Sequence, residues 1–218
     1  MIISIHQPNF FPWLGYLDKM SKSDVFVILD TVQYEKDSYT NRTKVKGPNG
    51  EQWLTMSIKN NFPQIIKDVE FANYRKDRDR ILKTIELNYK RAPGFNIIFP
   101  ILQELMKDDW EKLSGFNIHI IKNLIKGHHS QPRIEIASEY DFKGHSTELL
   151  VNICKYFGGD IYLSGCGAKN YQEEEMFRKA KIDLEYNEFK HPIYNQLWGE
   201  FIPCLSIIDS LMNQKYGS

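Results

Sequence analysis

Several features are scarce or missing in these 218 residues, and each absence narrows the field. Cysteine is sparse. Cys154, Cys166 and Cys204 form no C-x-x-C pair, and an odd count gives no disulfide framework. Net charge is absent, because 28 Lys and Arg balance 28 Asp and Glu. Nothing in that balance points to nucleic acid or to an acidic membrane. No apolar run approaches the roughly 18–20 residues of a membrane span. The N-terminus also lacks the basic segment and apolar core of a signal peptide. No H-x-x-x-H or H-E-x-x-H occurs, so no zinc site is indicated. The expectation is a cytoplasmic protein with reduced thiols. The composition, 42% hydrophobic and 26% charged, is that of a globular chain long enough for a real core.

What is present is the alternation of an α/β protein. Ile2–Ile5 reads as a strand and Trp13–Lys22 as a helix. Val25-Phe26-Val27-Ile28-Leu29 is a continuous apolar run, the pattern of a parallel strand buried on both faces. Gly47-Pro48-Asn49-Gly50 punctuates two strand-like segments and predicts an antiparallel hairpin over about 41–58. Residues 74–127 read as mainly helical, interrupted at Pro93-Gly94 and at Pro100. The last third restores the alternation. A strand at Ile134–Ala137 precedes a helix capped by Ser146 and ended by Gly158-Gly159. A strand at Asp160–Ser164 and a turn at Gly165-Cys166-Gly167 lead into a helix over Glu173–Ala180, and a last strand covers Ile182–Phe189. A short amphipathic helix at Leu205–Met212 follows. The expected architecture is one Rossmann-like, doubly wound domain with a mainly parallel sheet, carrying the hairpin and a helical insert.

Candidate chemistry gathers where strands end. The first strand delivers His6, Gln7 and Asn9 to its carboxyl end, where open α/β sheets place ligand sites. Gln7, Asn9, Gln33 and Asn41 offer paired donors and acceptors, and Arg42 offers a fork for phosphate or carboxylate. Asp30 ends the second strand. The bland alternative is that the asparagines form turns and Arg42 is solvated. Ser164, Gly165, Gly167 and Lys169 suggest an anion site of free backbone N–H groups at a helix start. The glycines could equally serve a tight turn. The turn is not a full G-x-G-x-x-G, because Asn170 occupies the last glycine position. Cys166 is a weak candidate nucleophile, since no cysteine–histidine signature accompanies it. Of six histidines, His6 and His191 leave strands and are the acid/base candidates, with Glu200 as an orienting carboxylate. His128-His129 reads as a helix end. No cofactor motif is evident.

Three blocks together resemble the WbqC-like family. They are His6-Gln7-Pro8-Asn9-Phe10-Phe11-Pro12-Trp13-Leu14-Gly15-Tyr16, Asp30-Thr31-Val32-Gln33-Tyr34 with Asn41-Arg42, and Gly199-Glu200-Phe201-Ile202-Pro203 through Asp209. Asp30-Thr31 stands where many members carry paired aspartates, and Cys166 in the glycine turn is a further departure. The resemblance implies a bacterial protein of O-antigen and surface-polysaccharide biosynthesis. It supplies no residue-level mechanism.

The leading reading is a transferase that acylates the amine of a nucleotide-linked amino sugar, with an acyl-CoA or ATP as the source of activation. A second is a nucleotidyltransferase or an ATP-dependent acyl-activating enzyme, although the loop after the first strand lacks both histidines of that class. A third is a non-catalytic carbohydrate-binding or scaffold subunit, with Tyr39 and Trp53 among the aromatics available to stack on sugar.

Overall fold

The computed structural model describes residues 1–59, 61–126, 130–169 and 172–216. His128-His129 and Asn170 therefore lie outside the described residues. The chain divides into two compact units. The first takes Met1–Pro8, Gly15–Val32 and Lys122–Lys190, and the second takes Asn9–Leu14, Gln33–Ile121 and His191–Ser218.

The first unit is built on a five-stranded sheet. Its strands are β1 (Ile2–His6), β2 (Val25–Ile28), β5 (Arg133–Ile136), β6 (Ile161–Gly165) and β7 (Asp183–Asn187). Their order is β5-β2-β1-β6-β7, and every neighbouring pair is parallel. Counted within the sheet, that is the 3-2-1-4-5 order of a Rossmann-like half. Alternation along β1 and β2 explains why both faces are covered. Ile3, Ile5, Val25 and Val27 pack with Leu149, Val151 and Ile153 of α5 (Ser146–Tyr156) and with Phe177 of α6 (Glu174–Lys179). Phe26, on the opposite face, meets Tyr16 and Lys19 of α1 (Leu14–Ser21). Helices on both faces are what near-continuous apolar strands require.

Two sequence expectations are corrected here. Ser146 is not an N-cap. It is the first helical residue of α5, with φ of 50°, and His145 holds the cap position without a side-chain bond. The glycine turn is also not itself the start of a helix, although the helix expected over Glu173–Ala180 is present as α6. Cys166–Ala168 forms a single 3-10 turn, and α6 begins only at Glu174. The N–H groups of that turn therefore lack an aligned α-helix behind them.

The second unit contains the hairpin of β3 (Arg42–Gly47) and β4 (Gly50–Thr55), in register from Arg42↔Thr55 to Gly47↔Gly50. Gly50 closes it at φ of 96°, a left-handed value that favours glycine. Its helices are α2 (Tyr74–Tyr89), α3 (Phe95–Leu105), α4 (Leu113–Ile125) as far as Ile121, and α7 (Ile207–Asn213). Pro100 sits inside α3 and does not interrupt it, contrary to expectation. It falls about a turn and a half in, where the helix loses one backbone bond and continues. Phe10 and Phe11 are fully buried among Phe116 and its aromatic neighbours. The Phe11 carbonyl accepts from Thr43 Oγ1 at 3.2 Å and Ser206 Oγ at 2.8 Å. The aromatic half of the opening motif is thus core of the second unit.

Candidate functional site

The first unit has one topological switch point. The chain moves from β1 to β2 to β5 in one direction and reaches β6 and β7 on the other side, so order reverses between β1 and β6. Crevices at the carboxyl ends of such strands bind ligands. Pairing between these strands covers Ile2↔Ile161 and Ile3↔Tyr162, followed by Ser4 Oγ donating to the Leu163 carbonyl at 3.0 Å. His6-Gln7 and Ser164-Gly165 lie at the carboxyl ends of the two strands.

His6 is chemically unusual. Its ring sits edge-on to Tyr16, with centroids 4.6 Å apart, and Nδ1 lies 3.1 Å from the Gln7 carbonyl oxygen. A carbonyl only accepts, so Nδ1 carries the proton and Nε2 is the basic nitrogen. Burial, followed by the charge of Lys19, lowers the imidazole pKa to about 3. At neutral pH His6 is therefore an uncharged hydrogen-bonding group and a weak base. Tyr16 donates to the same Gln7 carbonyl at 3.3 Å. Lys19, 3% exposed, donates Nζ to the Ile5 carbonyl at 3.1 Å, and burial brings its pKa down to about 7. A lysine on a short helix reads as a solvated charge, so sequence reasoning missed it.

On the β6 side, Ser164 is buried and Gly165 is extended, with φ of −76°. A Cβ at Gly165 or Gly167 would meet nothing within 4 Å. Lys169 Nζ lies 5.7 Å from the centre of the Tyr186 ring. Cys166 is exposed, and its Sγ donates to the Asn187 carbonyl at 3.0 Å. Asp30 is 2% exposed, and its oxygens accept from the Ser138 N–H at 3.0 Å and Oγ at 2.8 Å. That carboxylate shapes the exit of β2.

The remaining candidates, Asn9, Gln33, Asn41, Arg42, His191 and Glu200, belong to the second unit. Alternation puts Arg42, Lys44 and Lys46 on one face of β3. Arg42 stacks over Trp53 at 4.2 Å and pairs with Asp37 at 3.2 Å, and Trp53 in turn meets Tyr39 at 5.6 Å. Lys46, 1% exposed, donates Nζ to Gln196 Oε1 at 3.2 Å, to the Gly199 carbonyl at 3.1 Å and to the Glu200 carbonyl. Arg42 and the backbone of Glu200 are thus tied to opposite ends of one strand face. The Glu200 side chain is exposed. His191 Nδ1 lies 2.9 Å from the Pro192 carbonyl, and its ring packs on Phe201. Gln33 is exposed and bridges to Ile65, and Asn9 is partly buried.

Behind this loop lies a buried carboxylate that the sequence did not single out. Asp209 is fully buried and accepts from Tyr89 Oη at 2.7 Å, Tyr194 Oη at 2.8 Å and Gln196 Nε2 at 2.7 Å. Burial raises its pKa above the usual carboxylate value. Gln196 also binds both backbone groups of Ile202, at 2.8 and 2.9 Å. The loop carrying Glu200 is therefore held by buried hydrogen bonds, although Trp198 and Gly199 both adopt positive φ.

No group of His, Cys, Asp and Glu suited to hold a metal ion occurs among the described residues. No helix among them is long and apolar enough to cross a membrane. Fold and site geometry define a mixed α/β protein with a doubly wound parallel sheet and a polar switch point. The chain belongs to the WbqC-like protein family, whose profile matches residues 7–217. It is 30% identical over 217 residues to the uncharacterized protein Rv1507c of Mycobacterium tuberculosis, covering 97% of this chain and 93% of that protein. No solved structure matches.

Proposed function

We propose that this protein is a cytoplasmic transferase of bacterial surface-polysaccharide (O-antigen) biosynthesis that acylates the amino group of a nucleotide-linked amino sugar, the acyl group coming from a thioester donor such as an acyl-CoA, whose thiol leaves. The observation that supports this reading is the switch point between β1 and β6, with amide and imidazole groups on one strand end and an uncrowded glycine turn on the other. Backbone N–H groups of Gly165 and Gly167, with Ser164 and Lys169, hold the phosphates. Gln7 and neutral His6 read the sugar by hydrogen bonds, a role that suits a histidine too weakly basic to take a proton at pH 7. In the second unit, Asn9, Gln33, Asn41 and Arg42 are assigned to binding. His191 and Glu200, also in the second unit, are assigned to acid/base work, with Glu200 as the orienting carboxylate.

Isothermal titration with UDP- and dTDP-amino sugars tests this reading. Saturable binding of at least one is expected, stronger than that of the free sugar. If no nucleotide binds, free or sugar-linked, the proposal fails. ATP consumption with pyrophosphate release, in place of acyl transfer, assigns the protein to nucleotidyl transfer.

A further inference from the structure

A cavity of about 340 Å³ opens in the second unit, within the size range of small-molecule sites. Tyr34, Lys36, Asp37, Asn41, Ile58 and Phe62 contribute to its wall. Asn41 is a buried polar residue with unused hydrogen-bonding capacity, and Tyr34 adds a phenol to the wall. Asn41, 8% exposed, donates Nδ2 to the Met56 carbonyl at 2.9 Å, while its Oδ1 is buried with no donor. Tyr34 is 2% exposed. Its backbone N–H donates to the Gln64 carbonyl at 2.9 Å, and among the described residues its hydroxyl has no hydrogen bond. A buried acceptor without a donor is costly in a folded protein, so Asn41 Oδ1 calls for an explanation.

The charges in the wall are not equivalent. Lys59 is engaged by Glu70 at 2.6 Å and Asp37 by Arg42 at 3.2 Å. Lys36 has no ion pair among the described residues. The groups left over are therefore an acceptor, a phenol and a cation, beside the apolar surfaces of Ile58 and Phe62. Burial pushes the Tyr34 phenol up to about 12, which keeps it a protonated donor at neutral pH.

We propose that this cavity binds a small amino- or hydroxy-carboxylate. Its carboxylate lies on Lys36 and the Tyr34 hydroxyl, its N–H or O–H donor satisfies Asn41 Oδ1, and its carbon skeleton rests on Ile58 and Phe62. The site lies wholly within the second unit and goes beyond the nucleotide-sugar reading, with which it shares Asn41. Failure of nucleotide binding leaves it standing, and its own failure leaves that reading standing.

The test is calorimetric titration of the full chain with L-serine and L-lactate. Propionate serves as a carboxylate lacking the donor, and methyl glucoside as a neutral polyol. Serine or lactate is expected to bind saturably at millimolar concentration, with propionate weaker by about tenfold or more and no binding of the glucoside. Lys36→Ala and Tyr34→Phe are each expected to weaken binding by about tenfold. Lys36 is exposed, so K36A should keep the wild-type melting midpoint and separate lost binding from lost folding. The proposal is overturned if neither serine nor lactate binds, if methyl glucoside binds as well as they do, or if folded K36A keeps wild-type affinity.

Discussion

The Tyr89 hydroxyl donates to Asp209 Oδ1 at 2.7 Å, joining residues 120 positions apart in sequence. The same hydroxyl accepts from the Lys46 backbone N–H at 2.8 Å, so β3, α2 and α7 meet at one oxygen. Asp209→Ala would leave the Tyr89, Tyr194 and Gln196 donors unpaired in a dry site. A loss of about 3 kcal/mol is expected in urea unfolding, with Asp209→Asn losing less. An unchanged midpoint in D209A would mean that the network contributes nothing to stability.

Lys46 holds the loop carrying Glu200 with all three N–H bonds of its ammonium, two to backbone carbonyls and one to the Gln196 side chain. Lys46→Met keeps most of the buried stem and removes those bonds. Amide hydrogen exchange over residues 196–202 is expected to speed up by about tenfold or more in K46M, while the five-stranded sheet keeps its protection. Wild-type exchange in that loop would show that Gln196 and Trp198 suffice to hold it.

His6 and Lys19 give the first unit a signed dependence on pH. Both have folded pKa values below their unfolded ones, about 3 against 6.5 for His6 and about 7 against 10.5 for Lys19. The unfolded chain therefore binds more protons within each window, and stability rises with pH there. The His6 contribution is complete above pH 6.5 and lost as pH falls toward 3. The Lys19 contribution is complete above pH 10.5 and lost as pH falls toward 7. Lys19→Met removes the second window. Comparing urea unfolding at pH 7 and pH 10, wild type should gain on K19M by an amount of the order of 3 kcal/mol. Equal differences at the two pH values would sink this assignment.

Local pattern and tertiary context divide cleanly in this chain. β1, β2 and the hairpin were legible because continuous apolar runs and a Gly-Pro-Asn-Gly turn are local signals. The parallel order around β1 was partly legible, since strand–helix alternation predicts a parallel sheet. Its interruption by residues 33–121 was legible only as a hairpin and a helical insert. Side-chain environment was the harder part. Lys19 and Lys46 were not singled out, yet both are buried, and their partners include backbone carbonyls whose exposure depends on strands and loops distant in sequence. Asp30, at the end of the second strand, is engaged by Ser138, 108 residues away, a partner no local pattern marks. The Ser146 cap failed because it depended on the residue at which a helix starts, and helix boundaries are the least determined feature of a sequence pattern.

Two glycines of opposite environment separate folding from binding. At Gly94 an added Cβ would lie 2.5 Å from the Leu211 carbonyl oxygen and 2.9 Å from that of Met212, whose oxygen already accepts the Gly94 N–H at 2.8 Å. Both contacts are backbone, so α7 or the start of α3 must shift, and Gly94→Ala should destabilise by about 2–3 kcal/mol. At Gly167 an added Cβ meets nothing within 4 Å. Gly167→Ala should therefore fold with stability within about 0.5 kcal/mol of wild type. If phosphates approach the backbone of that turn, the same methyl occupies their path, and nucleotide-sugar affinity should fall by about tenfold or more in calorimetric titration. Wild-type affinity in a well-folded G167A would remove the glycine turn from the phosphate site and leave its two glycines as elements of the β6 exit alone.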